Sequence, residues 1–145
     1  MPARARIFLD ANVIFSGLYS PSGPCAEILR AHISGDLQAV VCLQVLEEVI
    51  RTLQRKQNRL LGLFYVMLEQ NPFEIQPDPA PTAVERFAAF ISPADAPILA
   101  AAVAAGVDVL ITGNTRHFTA EVAALAGLRI VTPAEFVSET LRPNA

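Results

Sequence analysis

Arg6-Ile7-Phe8-Leu9-Asp10-Ala11-Asn12 is the stretch on which the reading of this chain turns. A short apolar run that stops at a carboxylate reads as a buried strand with a polar end. Val13-Ile14-Phe15 then resumes burial at once. Further along, Val107 to Thr112 reads as another strand, and Asn114 closes it. Between and beyond these two segments, strand-like and helix-like stretches alternate.

Pro21-Ser22-Gly23-Pro24 is a turn, with Ser22 or Gly23 as the cap of a helix over 24–33 that Ser34-Gly35-Asp36 stops. Residues 37–42 read as a strand. Residues 43–55 read as a helix, with Leu46, Val49, Ile50 and Leu53 at 3.6-residue spacing. A further helix covers 59–69, and Phe73-Glu74-Ile75 is a weak strand. Pro77, Pro79 and Pro81 break the chain there. Neither flank could hold a core of its own, so this is a loop inside one domain spanning 1–145. Helices follow over 82–90 and 93–105, the second apolar almost all round, then a helix over 120–126 and a last strand over 128–131. Thr132-Pro133-Ala134-Glu135 carries a capping box for a C-terminal helix.

Such alternation implies an α/β fold with a central, mostly parallel sheet covered on both faces. In these sheets the ligand sits beyond the carboxyl ends of the strands. Asp10 and Asn114 would both lie at that end. Asp108 opens the strand that Asn114 closes; at about 3.3 Å per residue it lies well over 10 Å away, toward the opposite edge, and is set aside as a ligand.

The bulk numbers narrow the choice of function. Hydrophobic residues are 52% and charged residues 17%, which excludes a disordered chain. The longest apolar run, Ala96 to Val107, is too short for a bilayer span of about 20 residues. Residues 1–6 lack the apolar core of a signal peptide, so the expectation is a soluble, cytoplasmic protein. Cys25 and Cys42 have no metal-ligand spacing and read as two buried thiols. A net charge of −3 argues against tight non-specific nucleic-acid binding, but it does not exclude a nuclease whose cation meets the phosphate.

Four remote segments carry the polar groups: Asp10 with Asn12, the Glu47-Glu48 pair, Ser92-Pro93-Ala94-Asp95, and Thr112-Gly113-Asn114. Carboxylates are costly to hold close together near a core unless a positive charge sits between them. The simplest such charge is a divalent metal, and scattered acids without a His or Cys cluster point to phosphodiester hydrolysis. Each acid also has an ordinary reading. Asp10 could be a turn residue after a strand. Glu47 and Glu48 could be a solvated face, and the helical wheel does not choose between them. Asp95, at the third position of a helix capped by Ser92, could serve the helix dipole alone. Arg116 could meet a phosphate, and His117 reads as a surface residue. Arg51, Arg55, Lys56 and Arg59 form a basic cluster that is either a solvated helix end or a guide for RNA.

In this order, FLDANV, LEEV, SPADAPILAAA and DVLITGNTRHF make the chain resemble the PIN-domain family, which includes the toxin ribonucleases of bacterial toxin–antitoxin pairs. The resemblance covers nearly the whole chain. It implies a three-layer α/β/α sandwich with acids gathered around Mg²⁺ or Mn²⁺. By similarity Asp10, Glu48 and Asp95 are the catalytic acids and metal ligands, with Glu48 fitting the helix position better than Glu47. Asn114 stands where a fourth acid is usual; its amide can still ligate a hard cation but brings no charge. Ser92 stands where many members have an extra aspartate. Asn12 and Thr112 match small polar residues lining the site. The resemblance further implies an RNA substrate, a small antitoxin partner and a homodimer; the shortness of the apolar runs adds the expectation of no membrane association.

Two rivals remain. One is a PIN-like module that binds RNA or protein without cutting, favoured by Asn114 and the acidic pI of about 5.3. The other is a phosphatase with an aspartyl nucleophile, loosely matched by Phe8 to Asn12. That chemistry needs a second Asp at position 12 and a well-placed Lys, whereas the chain has Asn12 and, as its one lysine, Lys56 on an early helix.

Overall fold

The computed structural model describes residues 4–143. Five strands, β1 (Ala5–Leu9), β2 (Leu37–Cys42), β3 (Glu74–Gln76), β4 (Val109–Ile111) and β5 (Ile130–Val131), form one parallel sheet in the order β3-β2-β1-β4-β5. Ile7, Phe8 and Leu9 of the central strand are fully buried, so the run that begins the sequence reading is the middle of the core. Phe8 sits in register with Val40 on one side and Leu110 on the other.

Helices α1 (Ala11–Tyr19) and α2 (Pro24–Ile33) cross from β1 to β2, and α3 (Leu43–Lys56) and α4 (Asn58–Gln70) cross from β2 to β3. Helices α5 (Pro81–Ala88) and α6 (Ala96–Ala105) return from β3 past the centre to β4. Right-handed crossovers put the outgoing and returning helices on opposite faces, because the chain reverses its direction across the sheet. Helix α7 (Ala120–Ala126) links β4 to β5, and α8 (Pro133–Phe136) continues into a π-helical turn, Val137–Leu141. The reversal occurs between β1 and β4. Their carboxyl ends therefore flank the switch point, the usual ligand crevice of an open α/β sheet.

Most boundaries fall within a few residues of the sequence expectations, and the capping box at Thr132 and Glu135 is formed in both directions. Two corrections stand out. Helix α1 is not foreseen, because Val13-Ile14-Phe15 favours strand locally; Asp10 caps it and the α2 packing completes it. Helix α6 starts at Ala96 rather than at Pro93. A helix capped by Ser92 would place Pro97 in its second turn, where the ring clashes with the carbonyl four residues back and the missing N–H breaks the ladder. Residues 93–95 form a turn instead, and Asp95 takes the cap position. Cys42 is buried, but Cys25 is only half-buried, and both are free thiols. Burial pushes both thiols up.

Gly17 marks a close approach of α1 to α2. A Cβ there would lie 2.6 Å from Leu29 Cδ1 and 2.9 Å from the carbonyl oxygen of Cys25. The leucine tip can turn aside; the backbone oxygen cannot. Overpacking costs about 1–3 kcal/mol, against roughly 1 kcal/mol gained from replacing a helical glycine. Gly17→Ala is therefore expected to lower stability by on the order of 1 kcal/mol. A urea midpoint equal to or above the wild type would show that α1 and α2 are free to separate.

Candidate active site

Asp10 is held by three donors just past the end of β1. Its Oδ1 accepts from the N–H of Ala11 at 2.8 Å. Its Oδ2 accepts from the hydroxyl of Thr112 at 2.7 Å and from the Asn12 amide at 3.2 Å. The backbone N–H of Asp10 donates to Ile111 at 3.1 Å, so the strand ladder delivers the carboxyl directly to the end of β4. Thr112 in turn accepts from the N–H of Asn114 at 3.0 Å, and Asn12 Oδ1 accepts from the N–H of Gly113 at 2.9 Å. The bonds from Thr112 to Asp10, from Gly113 to Asn12 and from Asp10 to Ile111 join residues about a hundred positions apart and fix the two strand ends side by side.

Asp10 is buried, only 5% exposed. Burial holds its carboxyl above the usual carboxylate range; the bonds from Thr112 and Ala11 work against this, and the charge of Asp95 adds to it. Glu48, on α3, is likewise raised, by desolvation first and then by the charge of Asp10; Arg51 opposes the rise and Asp95 adds to it. Among the described residues neither Asp10 nor Glu48 has a Lys, Arg or His partner within ion-pair distance.

Asp95 reaches the same place from the turn before α6. Its Oδ2 accepts from the Ser92 hydroxyl at 2.6 Å and lies 2.6 Å from Nδ1 of His117. The His117 N–H donates to Asn114 Oδ1 at 3.3 Å, so the amide oxygen caps the turn that presents the histidine. His117 is exposed, as a surface residue is expected to be, and it also rests on the acid. Its only signal in the sequence is its place three residues after Asn114. The other histidine, His32, is buried and structural: Nδ1 accepts from the N–H of Ala39 at 3.2 Å, and Nε2 lies 2.9 Å from the carbonyl of Asn71.

Asp10, Asn12, Glu48, Asp95 and Asn114 line one cleft of about 420 Å³ at the carboxyl edge of the sheet. Glu47, one residue from Glu48, is not among its lining residues. Thr112 lies beneath the cleft, only 1% exposed, bonded to Asp10. Arg116 is not brought to this cleft. It lines a neighbouring hollow of about 410 Å³ with Ser92 and His117. Asp108 sits at the opposite edge, where its Oδ2 accepts from the N–H of Arg6 at 2.8 Å.

The donors fit a hard divalent cation in kind: carboxylate and amide oxygens from separate segments, with a buried carboxyl that lacks a positive neighbour. Among the described residues, however, no three His, Cys, Asp or Glu side chains converge tightly enough to hold a metal by themselves. Also among these residues, no helix is long and apolar enough to cross a membrane.

The family profile described as PIN domain matches residues 6–116. No curated protein matches the chain significantly. Among solved structures, the chain is similar to one in VapBC2 from Rickettsia felis bound to a promoter DNA fragment, with a TM-score of 0.63 and 14% identity over 88% of this chain and 98% of that one. It is also similar to a chain in FitAcB from Neisseria gonorrhoeae, at a TM-score of 0.63 and 18% identity over 88% and 98% of the two chains. At these identities the likeness is one of fold.

Proposed function

This chain belongs to the PIN-domain family, and we propose that it is a Mg²⁺- or Mn²⁺-dependent endoribonuclease, the toxin of a toxin–antitoxin pair. The observation that carries this reading is the convergence of Asp10, Glu48 and Asp95, from three separate segments, on one cleft at the switch point of the sheet. The raised carboxyls of Asp10 and Glu48 support it, since each is held near other negative charge, which Arg51 offsets only in part at Glu48. The complexes named VapBC2 and FitAcB, whose chains share the fold, support the pairing with an antitoxin. A homodimer is part of the same reading.

Asp10, Glu48 and Asp95 would hold the cation, with the Asn114 amide as a neutral fourth group. When bound, the cation supplies Lewis acidity toward the scissile phosphate and a water of lowered pKa. The chain's own residues do the rest. Thr112, Asn12 and the Ala11 N–H fix the direction of the Asp10 carboxylate. Ser92 and His117 hold Asp95. Glu48 combines exposure to the cleft with a raised carboxyl, which suits it to accept the proton of the attacking water.

One feature favours a second reading, a module that binds RNA or protein without cutting it: Asn114 leaves the site one charge short. Calorimetry with Mn²⁺ separates the two. The wild type is expected to bind Mn²⁺ and cleave RNA. Glu48→Gln is expected to lose cleavage by roughly 10²–10³-fold and to bind Mn²⁺ more weakly, while Glu47→Gln matches the wild type in both. A wild type without measurable heat and without cleavage would favour the binding module.

A further inference from the structure

We propose that Gln44 is a positioning residue: its side-chain amide ties α3 to the turn before α6, sets the separation of Glu48 and Asp95, and so governs the size of cation that the cleft selects. This rests on the reading above that the cleft takes a divalent cation, and adds the residue that tunes the choice.

The two acids come from opposite faces of the sheet. Glu48 belongs to α3, an outgoing helix, and Asp95 caps α6, a returning one. Helix α3 packs on α1, α4 and β2, while α6 packs on α5, β2 and β3. The strand ladder fixes Asp10 against β4 but does not reach across from Glu48 to Asp95. Gln44 does. Its Nε2 donates to the carbonyl oxygen of Ala94 at 3.2 Å. Gln44 stands about one helical turn before Glu48 on the same face of α3, and Ala94 directly precedes Asp95. All four residues line the cleft. Among the described residues no other hydrogen bond or ion pair joins α3 to the 92–95 turn.

The local sequence leaves the Ala94 carbonyl open for this donor. The N–H groups of Asp95 and Ala96 turn back to Ser92, at 3.0 and 2.9 Å, and that of Leu99 goes to Asp95 at 3.0 Å. Three residues beyond Ala94 stands Pro97, which has no N–H to give. Among the described residues Gln44 is the only donor to that oxygen. The bond therefore spans the cleft mouth beside the two acids it separates. Mg²⁺ asks for oxygens at about 2.0–2.1 Å in near-octahedral order, whereas Ca²⁺ takes them at about 2.3–2.6 Å in irregular arrangements. Ligands held at a fixed separation can meet the stricter ion; ligands free to part suit the tolerant one.

The test compares the wild type with Gln44→Met, which keeps the length of the side chain and removes its amide donor, and with Gln44→Ala. Calorimetry reads Mg²⁺ and Ca²⁺ binding, and hydrogen exchange reads the metal-free protein. Mg²⁺ affinity is expected to fall by about 10-fold in both variants, the usual scale for losing a partner that orients a metal ligand. Ca²⁺ affinity should fall less, so the preference between the two ions shifts toward Ca²⁺. Deuterium uptake over residues 92–96 should rise without metal, while the thermal midpoint drops by only about 2–4 °C. If both variants bind Mg²⁺ as tightly as the wild type, the proposal is overturned. Equal proportional losses of Mg²⁺ and Ca²⁺ overturn it as well, since Gln44 would then only join two surfaces. The two readings fail separately: a wild type that binds Mg²⁺ and cleaves no RNA overturns the nuclease reading alone, and one that binds neither cation overturns both.

Discussion

Asp10→Asn is expected to abolish RNA cleavage in Mn²⁺, by at least about 10³-fold, and to raise the thermal midpoint of the metal-free protein. The amide has nearly the same shape: its oxygen can still accept from the Ala11 N–H, and its NH₂ group can donate to the Thr112 hydroxyl once that turns to accept, with the Asn12 contact given up, so the fold survives. What it removes is the charge. Because the folded-state pKa of Asp10 lies above 3.8, the folded protein holds more protons than the unfolded chain in the window between 3.8 and that raised value. Stability then falls as pH rises through the window, and above it the whole cost of the buried charge is present. The variant escapes that cost. Its advantage in midpoint over the wild type should be fully present near neutral pH and should shrink as pH is lowered toward 3.8. Mn²⁺ should reverse the order, since a ligand at 100 times its Kd adds about 2.7 kcal/mol to the protein that binds it. Measured midpoints at several pH values, with and without Mn²⁺, read both effects. Cleavage at wild-type rate, or a midpoint gap that does not change with pH, would remove Asp10 from the proposed role.

Phe8→Ala is expected to have the largest effect on stability. Phe8 is fully buried in the central strand, between β2 and β4. Truncating a buried Phe typically costs about 3–5 kcal/mol, and the total stability of a domain is about 5–15 kcal/mol. The midpoint should drop by on the order of 10 °C, with Phe8→Leu falling between. The same strand carries Asp10, so the loss should extend to Mn²⁺ binding at temperatures where the wild type is still folded. A drop of only one or two degrees would mean that the sheet centre relaxes around the cavity.

Much of this molecule is legible in short windows of sequence. The apolar run before Asp10, the turn around Gly23 and the capping box at Thr132 each depend on neighbours within a few residues, and each is found where expected. Helix α1 is the exception: its β-branched residues point to strand, and the cap at Asp10 and the packing on α2 override them. The start of α6 was decided by Pro97, a local signal that competed with Pro93.

The sequence by itself determined the alternation of strands and helices, the parallel sheet this demands, and the placing of Asp10 and Asn114 at one edge of it. Those follow from side-chain periodicity and chain direction, which are local properties. Periodicity leaves Glu47 and Glu48 open and the family resemblance favours Glu48, which lines the cleft; only the tertiary structure decided that His117 rests on Asp95 and that Arg116 turns to the next hollow. Such choices are made by contacts between residues far apart in the chain, such as the Thr112 to Asp10 bond that spans 102 positions. No helical or strand period records which distant surface a side chain will meet.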